Sequence, residues 1–441
     1  MMAHATHRSM RRWVLIGLAA LLLLQPARAQ QGEHWVGTWM VAHIGRPQNP
    51  PAPPAPPPPA PGTTTAPPAA PPAFMHFNNQ TLRQIVRTSI GGTRARVVLS
   101  NAFGTVPLTV GAAHIAVRDK ESTIVASSDR ALTFSGKPTM SIPSGAVLVS
   151  DPVDMAVPAM GDLAIDLYLP GNTDSPSPVT TFTSALQTNY VSETGNFAGK
   201  SPFPAVARTP AWFVVSRVEV LAPQSVGAVV TVGDSITAGS RSTADTNNRY
   251  SNHLARRLAT LPTPMAVLNA GIGGNRVLTE AGFANGLNVV GRFERDVLAQ
   301  PGVRYLILLE GVNDLGTLTR DAPATPEAHR ALVDGIIGAY RQMVERARAR
   351  GIKAIGATIL PYGRSEYYHP DATNEADRQA INAWIRAPGN FDALVDFDAL
   401  MRDPANPSRI RADLDADGLH PSLAGYEAMA AAVPLSLFLN E

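Results

Sequence analysis

The feature that most constrains the fold is an alternation of apolar runs and helical stretches from Ser225 to the C-terminus. Strands that alternate with helices form a parallel sheet covered on both faces. The pattern therefore predicts an α/β domain over residues 223–441. The predicted strands are Ala228–Gly233, Ala266–Ala270, Val303–Glu310, Ile352–Ile359 and Ala393–Phe397, and the predicted helices are Arg249–Ala259, Glu327–Arg350, Glu375–Arg386 and Ser422–Val433.

The preceding part of the chain, residues 30–222, has short alternating apolar runs separated by turn residues and no long helical period. Gly91-Gly92, which separates the first two runs, predicts a β-hairpin. Short strands at this spacing are typical of an all-β sandwich or a jelly-roll-like domain. The predicted strand regions are Leu82–Ile90, Arg94–Ser100, Ile124–Phe134, Thr139–Val149, Asp162–Leu169 and Trp212–Leu221.

The first 29 residues have the layout of a secretory signal peptide. Three arginines precede the apolar run Trp13–Leu24, and Ala27-Arg28-Ala29 supplies a small-residue cleavage site. This run is too short to cross about 30 Å of hydrocarbon, which excludes a membrane anchor. We therefore expect cleavage near Ala29 and export, with periplasmic and extracellular destinations both open.

A Pro-rich tract occupies residues 47–73, where 14 of the 39 prolines of the chain lie between Pro47 and Pro72. Proline lacks the backbone N–H that helices and central strands require. The composition predicts an extended, mobile surface loop, although such tracts also bind proline-recognising domains.

Charge and cysteine content exclude several classes of function. The chain has 37 basic and 35 acidic residues, and the predicted leader contains four arginines and no acid, so the mature net charge is −2. A nucleic-acid-binding surface needs an excess of basic residues. The complete lack of Cys excludes disulfides, thiolate zinc sites and a thiol nucleophile.

Polar or Gly-containing segments follow the ends of the predicted parallel strands, where ligands bind in such sheets. They are Gly233-Asp234-Ser235, Gly271-Ile272-Gly273-Gly274-Asn275-Arg276, Gly311-Val312-Asn313-Asp314 and, after a short connection, Asp417-Gly418-Leu419-His420. The residue types fit acyl transfer. A Ser hydroxyl needs a base, usually His, and a carboxylate orients the imidazole. We therefore predict that Ser235, His420 and Asp417 are catalytic.

The developing oxyanion in acyl transfer needs hydrogen-bond donors that are already in place. The backbone N–H groups of Ser235 and Gly274 and the side-chain amide of Asn313 are suitable donors. Gly273 is a second candidate for the glycine donor.

The four segments together resemble the blocks of the SGNH (GDSL) hydrolases, whose name records a Ser, a Gly, an Asn and a His. This resemblance covers the C-terminal half and implies a flavodoxin-like α/β/α fold and esterase chemistry without a cofactor. It assigns Ser235 as nucleophile and donor, Gly274 and Asn313 as further donors, and Asp417 and His420 as the remaining triad.

The N-terminal half resembles the leading region of a secreted subgroup that is similar to xylan-associated arylesterases and acylhydrolases. The matching residues are Trp35-Val36-Gly37-Thr38-Trp39, Thr81-Leu82-Arg83-Gln84 and Ser100-Asn101-Ala102-Phe103-Gly104. The Pro-rich tract lies between the first and second of these motifs.

Several neighbouring residues have alternative interpretations. Asn275 and Arg276 are candidate substrate contacts or helix-capping residues. Asp234 and Asp314 fit structural roles better than reactive ones, as does Glu310 at a strand end. Asp415 is a less favoured candidate for the triad acid, and His369 is a less favoured candidate for a pocket residue. A calcium-binding loop that begins at Asp413 is also less favoured, because its twelfth position is Ala424 instead of the required Glu.

The sequence therefore predicts a secreted serine esterase that acts on short acyl esters of carbohydrate or aryl alcohols, with no metal or other cofactor. The expected partner is a small-molecule or polysaccharide ester. We expect no binding to nucleic acid, and no association of the mature protein with a membrane. A lipase or lysophospholipase is the alternative within hydrolases. A carbohydrate-binding protein with a vestigial hydrolase domain is the alternative of another class. The natural ester, the task of the β-rich domain and the oligomeric state stay open.

Overall fold

The computed structural model describes residues 32–46, 76–280 and 286–439. The predicted signal peptide, residues 1–29, and the Pro-rich tract, residues 47–73, lie outside the described residues. The described part consists of an N-terminal β-rich region and a C-terminal α/β region.

The β-rich region contains two larger antiparallel sheets. One has the order β1-β16-β4-β10, with β9 also paired to β4, and the other has the order β14-β13-β3-β11-β6-β7. Two smaller sheets join β15-β12-β2 and β5-β8. The strands are β1 (Glu33–Met40), β2 (Ile44–Arg46), β3 (Asn78–Arg87), β4 (Gly92–Ser100), β5 (Leu108–Val110), β6 (Ala112–Val117), β7 (Arg130–Leu132), β8 (Met140–Ile142), β9 (Val147–Val149), β10 (Val153–Val157), β11 (Asp162–Asn172), β12 (Val179–Phe182), β13 (Asn189–Thr194), β14 (Ala205–Thr209), β15 (Trp212–Phe213) and β16 (Val215–Pro223).

Apolar side chains on β3 are buried on both faces of the six-stranded sheet. Leu82 and Val86 belong to the large hydrophobic core, which also contains Val97 of β4. Ile85 points the other way and packs in a smaller cluster with Phe203. This arrangement follows from the period of two residues in a strand.

The hairpin predicted at Gly91-Gly92 is wrong, because β3 and β4 lie in different sheets. The glycines serve close packing instead of a two-residue turn. A Cβ on Gly91 would lie 2.6 Å from the carbonyl oxygen of Val157, and one on Gly92 would lie 2.9 Å from the Val220 side chain.

Two other strand predictions in this region are only partly right. The run Ile124–Phe134 contains a 3₁₀ turn at Ala126–Ser128 and only the short strand β7. The run Thr139–Val149 divides into β8 and β9, which belong to different sheets. The alternation of apolar and polar residues identified strand segments in both runs, but it does not show where the chain moves from one sheet to another.

The α/β region contains five parallel strands in the order β18-β17-β19-β20-β21, that is 2-1-3-4-5 in chain order, which is the flavodoxin-like order. The strands are β17 (Ala228–Gly233), β18 (Ala266–Gly271), β19 (Val303–Leu309), β20 (Lys353–Ala357) and β21 (Ala393–Val395). The helices are α1 (Ser235–Ala238), α2 (Tyr250–Leu258), α3 (Val289–Phe293), α4 (Val312–Arg320), α5 (Pro326–Arg348), α6 (Ala372–Arg386), α7 (Phe397–Met401) and α8 (Leu423–Ala432); a π-helical turn, Glu294–Leu298, follows α3, and a 3₁₀ turn, Leu435–Phe438, follows α8. Among residues 32–46, 76–280 and 286–439, none of the helices combines the length and apolar content needed to cross a bilayer.

The α/β fold class predicted for the C-terminal half is confirmed, and each predicted strand overlaps an observed one. Helix α4 is an addition that the sequence analysis did not predict. It begins directly after Gly311, whose φ of 111° lies in the region that glycine tolerates best.

The two regions are packed against each other along β1 and β18. The backbone N–H of Gly37 donates to the carbonyl of Pro301 (3.2 Å), and the N–H of Val267 donates to Ser89 Oγ (3.1 Å). A single cluster of buried apolar side chains runs through both regions, so each region shields part of the other from water.

Candidate active site

The turn between β17 and α1 presents Ser235 at the carboxyl end of an interior strand of the parallel sheet. Ser235 is the first residue of α1, and the carboxylate of Asp234 caps this helix by accepting from the N–H of Ile236 (2.8 Å). A Cβ on Gly233 would collide with the carbonyl oxygen of Leu309 and the Thr237 hydroxyl. The turn therefore requires glycine at position 233 and fixes the serine behind it.

A hydrogen-bond chain joins Ser235 to the loop before α8. Ser235 Oγ lies 2.9 Å from His420 Nε2, and His420 Nδ1 lies 3.0 Å from Asp417 Oδ2. Asp417 accepts only, so Nδ1 carries the ring proton and Nε2 is left to accept from the serine hydroxyl. In this arrangement an imidazole can remove the serine proton and a carboxylate holds the required tautomer.

The Asp417 carboxylate is held by its own loop. Its Oδ1 accepts from the backbone N–H groups of Leu419 (3.1 Å) and His420 (2.8 Å). Burial acts to raise the pKa of Asp417, but these hydrogen bonds, the His420 ring and Arg241 outweigh it and hold the pKa well below its usual range. The group therefore stays ionised at any pH at which the imidazole acts as a base.

The alternative acid, Asp415, lies behind the loop. Its Oδ1 accepts from the N–H groups of Asp417 (3.0 Å) and Gly418 (2.7 Å), and its Oδ2 lies 3.6 Å from Arg364. The structure thus brings Asp417, and not Asp415, to the imidazole.

The three predicted oxyanion donors border one cavity of about 490 Å³ at the carboxyl ends of the strands. Gly274 has a φ of 70° and lies on the cavity wall, whereas Gly273 does not. Asn313, in the first turn of α4, also faces the cavity. The lining residues are Ser235, Ser240, Arg241, Gly274, Arg276, Asn313, Ser365, Glu366, Tyr367, Tyr368, Asp417, Leu419 and His420.

The two candidate substrate contacts occupy different environments. Asn275 is 1% exposed, and its side chain bonds the carbonyl of Leu287 (2.8 Å) and the guanidinium of Arg292 (2.9 Å). Arg276 lies on the cavity wall, with its guanidinium 3.3 Å from the Thr279 hydroxyl. Of the pair, only Arg276 is placed to meet a bound molecule.

Three carboxyl groups lie beneath the site and not in the cavity wall. Asp314 accepts from the N–H groups of Val277 (2.7 Å) and Leu278 (3.1 Å), and burial raises its pKa to about 6. Burial raises the pKa of Asp234 to about 7 and that of Glu310 well above its usual range. Asp234 and Asp314 fix backbone, as the sequence predicts for them.

Two residues of the site were missed by sequence reasoning. Arg241, six residues after the nucleophile candidate, donates from Nε to Asp417 Oδ2 (2.7 Å). Tyr368 faces the cavity from the loop after β20, whereas its neighbour His369, which the sequence analysis considered, does not. Neither residue belongs to a motif, so only the three-dimensional approach of the loops could have identified them.

The acidic run 413–418 is engaged by arginines. Arg411 pairs with Asp413 (2.7 Å), Arg364 with Asp415 (3.6 Å) and Arg241 with Asp417 (2.7 Å). Within the described ranges, no group of three or more His, Asp or Glu side chains is arranged to hold a metal ion.

Residues 231–428 match the model of the GDSL-like Lipase/Acylhydrolase family. None of the curated proteins matches the sequence. Among solved structures, a lipase/acylhydrolase from Enterococcus faecalis is 22% identical, with 48% of this chain and 95% of that chain covered and a TM-score of 0.36. An acetylxylan esterase from Geobacillus stearothermophilus, solved as a catalytic mutant, is 22% identical, with 49% and 95% covered and a TM-score of 0.37.

A GDSL-like lipase from Bacteroides thetaiotaomicron is 21% identical, with 48% of this chain and 87% of that chain covered and a TM-score of 0.36. The family match spans the four motif segments and the parallel sheet except for residues 228–230 of β17. The C-terminal region therefore matches the GDSL-like lipase/acylhydrolase family, and this match supports an ester-hydrolysing serine hydrolase.

Proposed function

We propose that the protein is a secreted esterase in which Ser235, His420 and Asp417 form the catalytic triad and short acyl groups are the substrates. The observation that carries the proposal is the continuous hydrogen-bond chain from Ser235 Oγ through His420 to Asp417, which opens onto the 490 Å³ cavity.

In the first step, Ser235 Oγ attacks the ester carbonyl while its proton passes to His420 Nε2. The carbonyl oxygen becomes an oxyanion that accepts from the N–H groups of Ser235 and Gly274 and the amide of Asn313. The C–O bond to the alcohol then breaks, and His420 gives the proton to the departing alkoxide. The products are the free alcohol and an acyl ester of Ser235.

In the second step, water attacks the acyl-enzyme with His420 as the base. The same donors receive the oxyanion, the bond to Ser235 Oγ breaks, and the proton returns from His420 to Ser235. Asp417 stays ionised throughout, because its pKa is held low, and it stabilises the imidazolium formed in each half of the reaction.

The cavity wall supports a short acyl group on a polar alcohol. Among the described lining residues Leu419 is the only aliphatic side chain, and the others are polar, charged, glycine or tyrosine. A long acyl chain needs an apolar tunnel to replace its hydration, which favours an esterase over the lipase alternative. The N-terminal motifs that resemble xylan-associated arylesterases point to carbohydrate or aryl esters.

Export is part of the proposal and is supported by the basic, apolar and small-residue layout of residues 1–29. The alternative, in which the protein acts mainly by binding carbohydrate through its β-rich region, has weaker support than esterase activity. The lining residues within the described part of the chain all belong to the α/β region, so a carbohydrate that contacts the described β strands would do so away from the reacting bond.

The test compares Ser235→Ala with Ser242→Ala, which removes a nearby buried hydroxyl that has no partner in the described part. With an aryl acetate, Ser235→Ala should lower kcat at least about 10³-fold, and Ser242→Ala should leave it near the wild-type value. Turnover retained by Ser235→Ala contradicts the assignment. A rate that rises from acetyl to palmitoyl esters contradicts the short-acyl specificity alone.

A further inference from the structure

We propose that Tyr368 is a positioning residue that holds the Asn313 amide in the orientation needed to donate to the oxyanion. The proposal rests on the proposed function, because it takes Asn313 as a donor. Its structural basis is one contact: the Tyr368 hydroxyl lies 2.6 Å from Asn313 Oδ1, and both groups are buried.

The orientation of the Asn313 amide follows from its two partners. Nδ2 lies 2.7 Å from the carbonyl oxygen of Asn275, which can only accept. The amide nitrogen must therefore face Asn275, and Oδ1 must face Tyr368, whose hydroxyl is then the donor. One N–H of the amide is used by Asn275, which leaves the second for the cavity that Asn313 lines.

The backbone of Asn275 is itself fixed. Its N–H donates to the carbonyl of Ile272 (3.1 Å), and its side chain accepts from the buried guanidinium of Arg292 (2.9 Å). The acceptor for one edge of the Asn313 amide is therefore rigid, and Tyr368 supplies the restraint on the other edge.

The Tyr368 ring is seated so that its hydroxyl has little freedom. The side chain is 3% exposed, and its ring packs edge-on against Tyr362 and Tyr367 at centroid distances of 6.3 and 4.7 Å. A Cβ on Gly316, one turn after Asn313, would overlap the ring. Glycine at that position lets the tyrosine approach α4.

The hydroxyl acts as a permanent donor, because burial raises the pKa of Tyr368 above its usual range. A hydrogen bond accepted by Oδ1 polarises the amide and makes its N–H groups better donors. The contact also satisfies an acceptor that would otherwise be buried and unpaired. Both effects increase the stabilisation of the oxyanion and leave the binding of the neutral ester nearly unchanged.

The experiment is a double-mutant cycle with Tyr368→Phe and Asn313→Ala. Tyr362→Phe is the matched control, since it removes a buried hydroxyl from a ring that touches Tyr368 but has no hydrogen-bond partner among the described residues. We expect Tyr368→Phe to lower kcat for an aryl acetate about three- to tenfold with little change in KM, and Tyr362→Phe to leave both unchanged.

In the Asn313→Ala background, Tyr368→Phe should cost nothing further, because the residue acts through the amide. An equal loss in both backgrounds, or no loss in the wild-type background, overturns the proposal. Asn313→Ala should itself lower kcat about 10²- to 10³-fold while activity stays above that of Ser235→Ala. A wild-type rate for Asn313→Ala would instead contradict the oxyanion assignment of the proposed function, which keeps the two failures distinguishable.

Discussion

Glu310 directly follows β19, and its carboxyl group is 1% exposed. Its two oxygens take no hydrogen bond from the described residues. The nearest cation, Arg292, lies 3.8 Å away and is shared with Asp296 (3.2 Å). Such a group costs less to bury as the neutral acid than as the anion. Burial first, and then the charge of Asp234, raise the pKa of Glu310.

We predict that Glu310→Gln becomes increasingly more stable than the wild type as the pH rises. A folded-state pKa above the unfolded value of 4.5 means that folding disfavours the anion, so the wild type loses stability above that pH. Glutamine cannot ionise, and the gap should widen by up to about 1.4 kcal/mol per pH unit until the folded pKa is reached.

Thermal unfolding measured from pH 4.5 to pH 8 checks this prediction. Glu427→Gln is the control, because it makes the same substitution at an exposed position of α8. A constant gap for Glu310→Gln would show that the carboxyl group is ionised in the folded protein at every pH tested.

At the scale of elements, the turn from β17 to α1 requires glycine at position 233, because there is no room for a side chain there. A Cβ on Gly233 meets backbone and a threonine side chain, whereas one on Gly273 meets no atom within 4 Å. Overpacking of this kind costs about 1–3 kcal/mol. We predict that Gly233→Ala lowers the free energy of unfolding by that amount and displaces Ser235, so kcat falls as well.

Gly273→Ala is the matched control and should change the free energy of unfolding by less than about 0.5 kcal/mol. Chemical denaturation of the two variants, with aryl acetate turnover, checks the pair. Equal stability of Gly233→Ala and Gly273→Ala would mean that the turn can relax around a side chain.

The parallel strands were predictable because β17 to β20 are largely buried on both faces and are therefore short continuous apolar runs. The predicted Ala228–Gly233 is the observed β17 residue for residue, and the motif segments after the strands meet at one cavity. The β-rich region was harder, because alternation does not identify a strand's partner. Strand β3 pairs with β11 and β13, whose partner residues lie 75 to 114 positions away, and not with β4.

The supporting residues of the site could not be predicted for a related reason. Arg241 reaches Asp417 across 176 positions, and Tyr368 reaches Asn313 across 55. Each contact depends on how two loops fold back at the end of the sheet. A sequence motif can identify residues that lie close together within one segment, such as Asp417 and His420, which share one loop.

At the scale of the whole molecule, the β-rich region supports the α/β region along its edge strand β18, and none of its described residues lines the cavity. Asp245 accepts from the backbone N–H and hydroxyl of Thr188 (both 2.6 Å) and from Gln187 (2.6 Å), and Arg249 donates to the carbonyl of Ala185. These contacts and the continuous core hold the two regions together, and the proposed triad lies in the α/β region.

The central claim, that one serine activated by His420 carries the reaction, is tested most directly by the intact mass of the protein after treatment with a fluorophosphonate. We expect one adduct per chain, located on the peptide that contains Ser235. Ser235→Ala should form no adduct, and His420→Ala should be labelled more slowly than the wild type. An adduct on another residue, or equal labelling of Ser235→Ala, would contradict it.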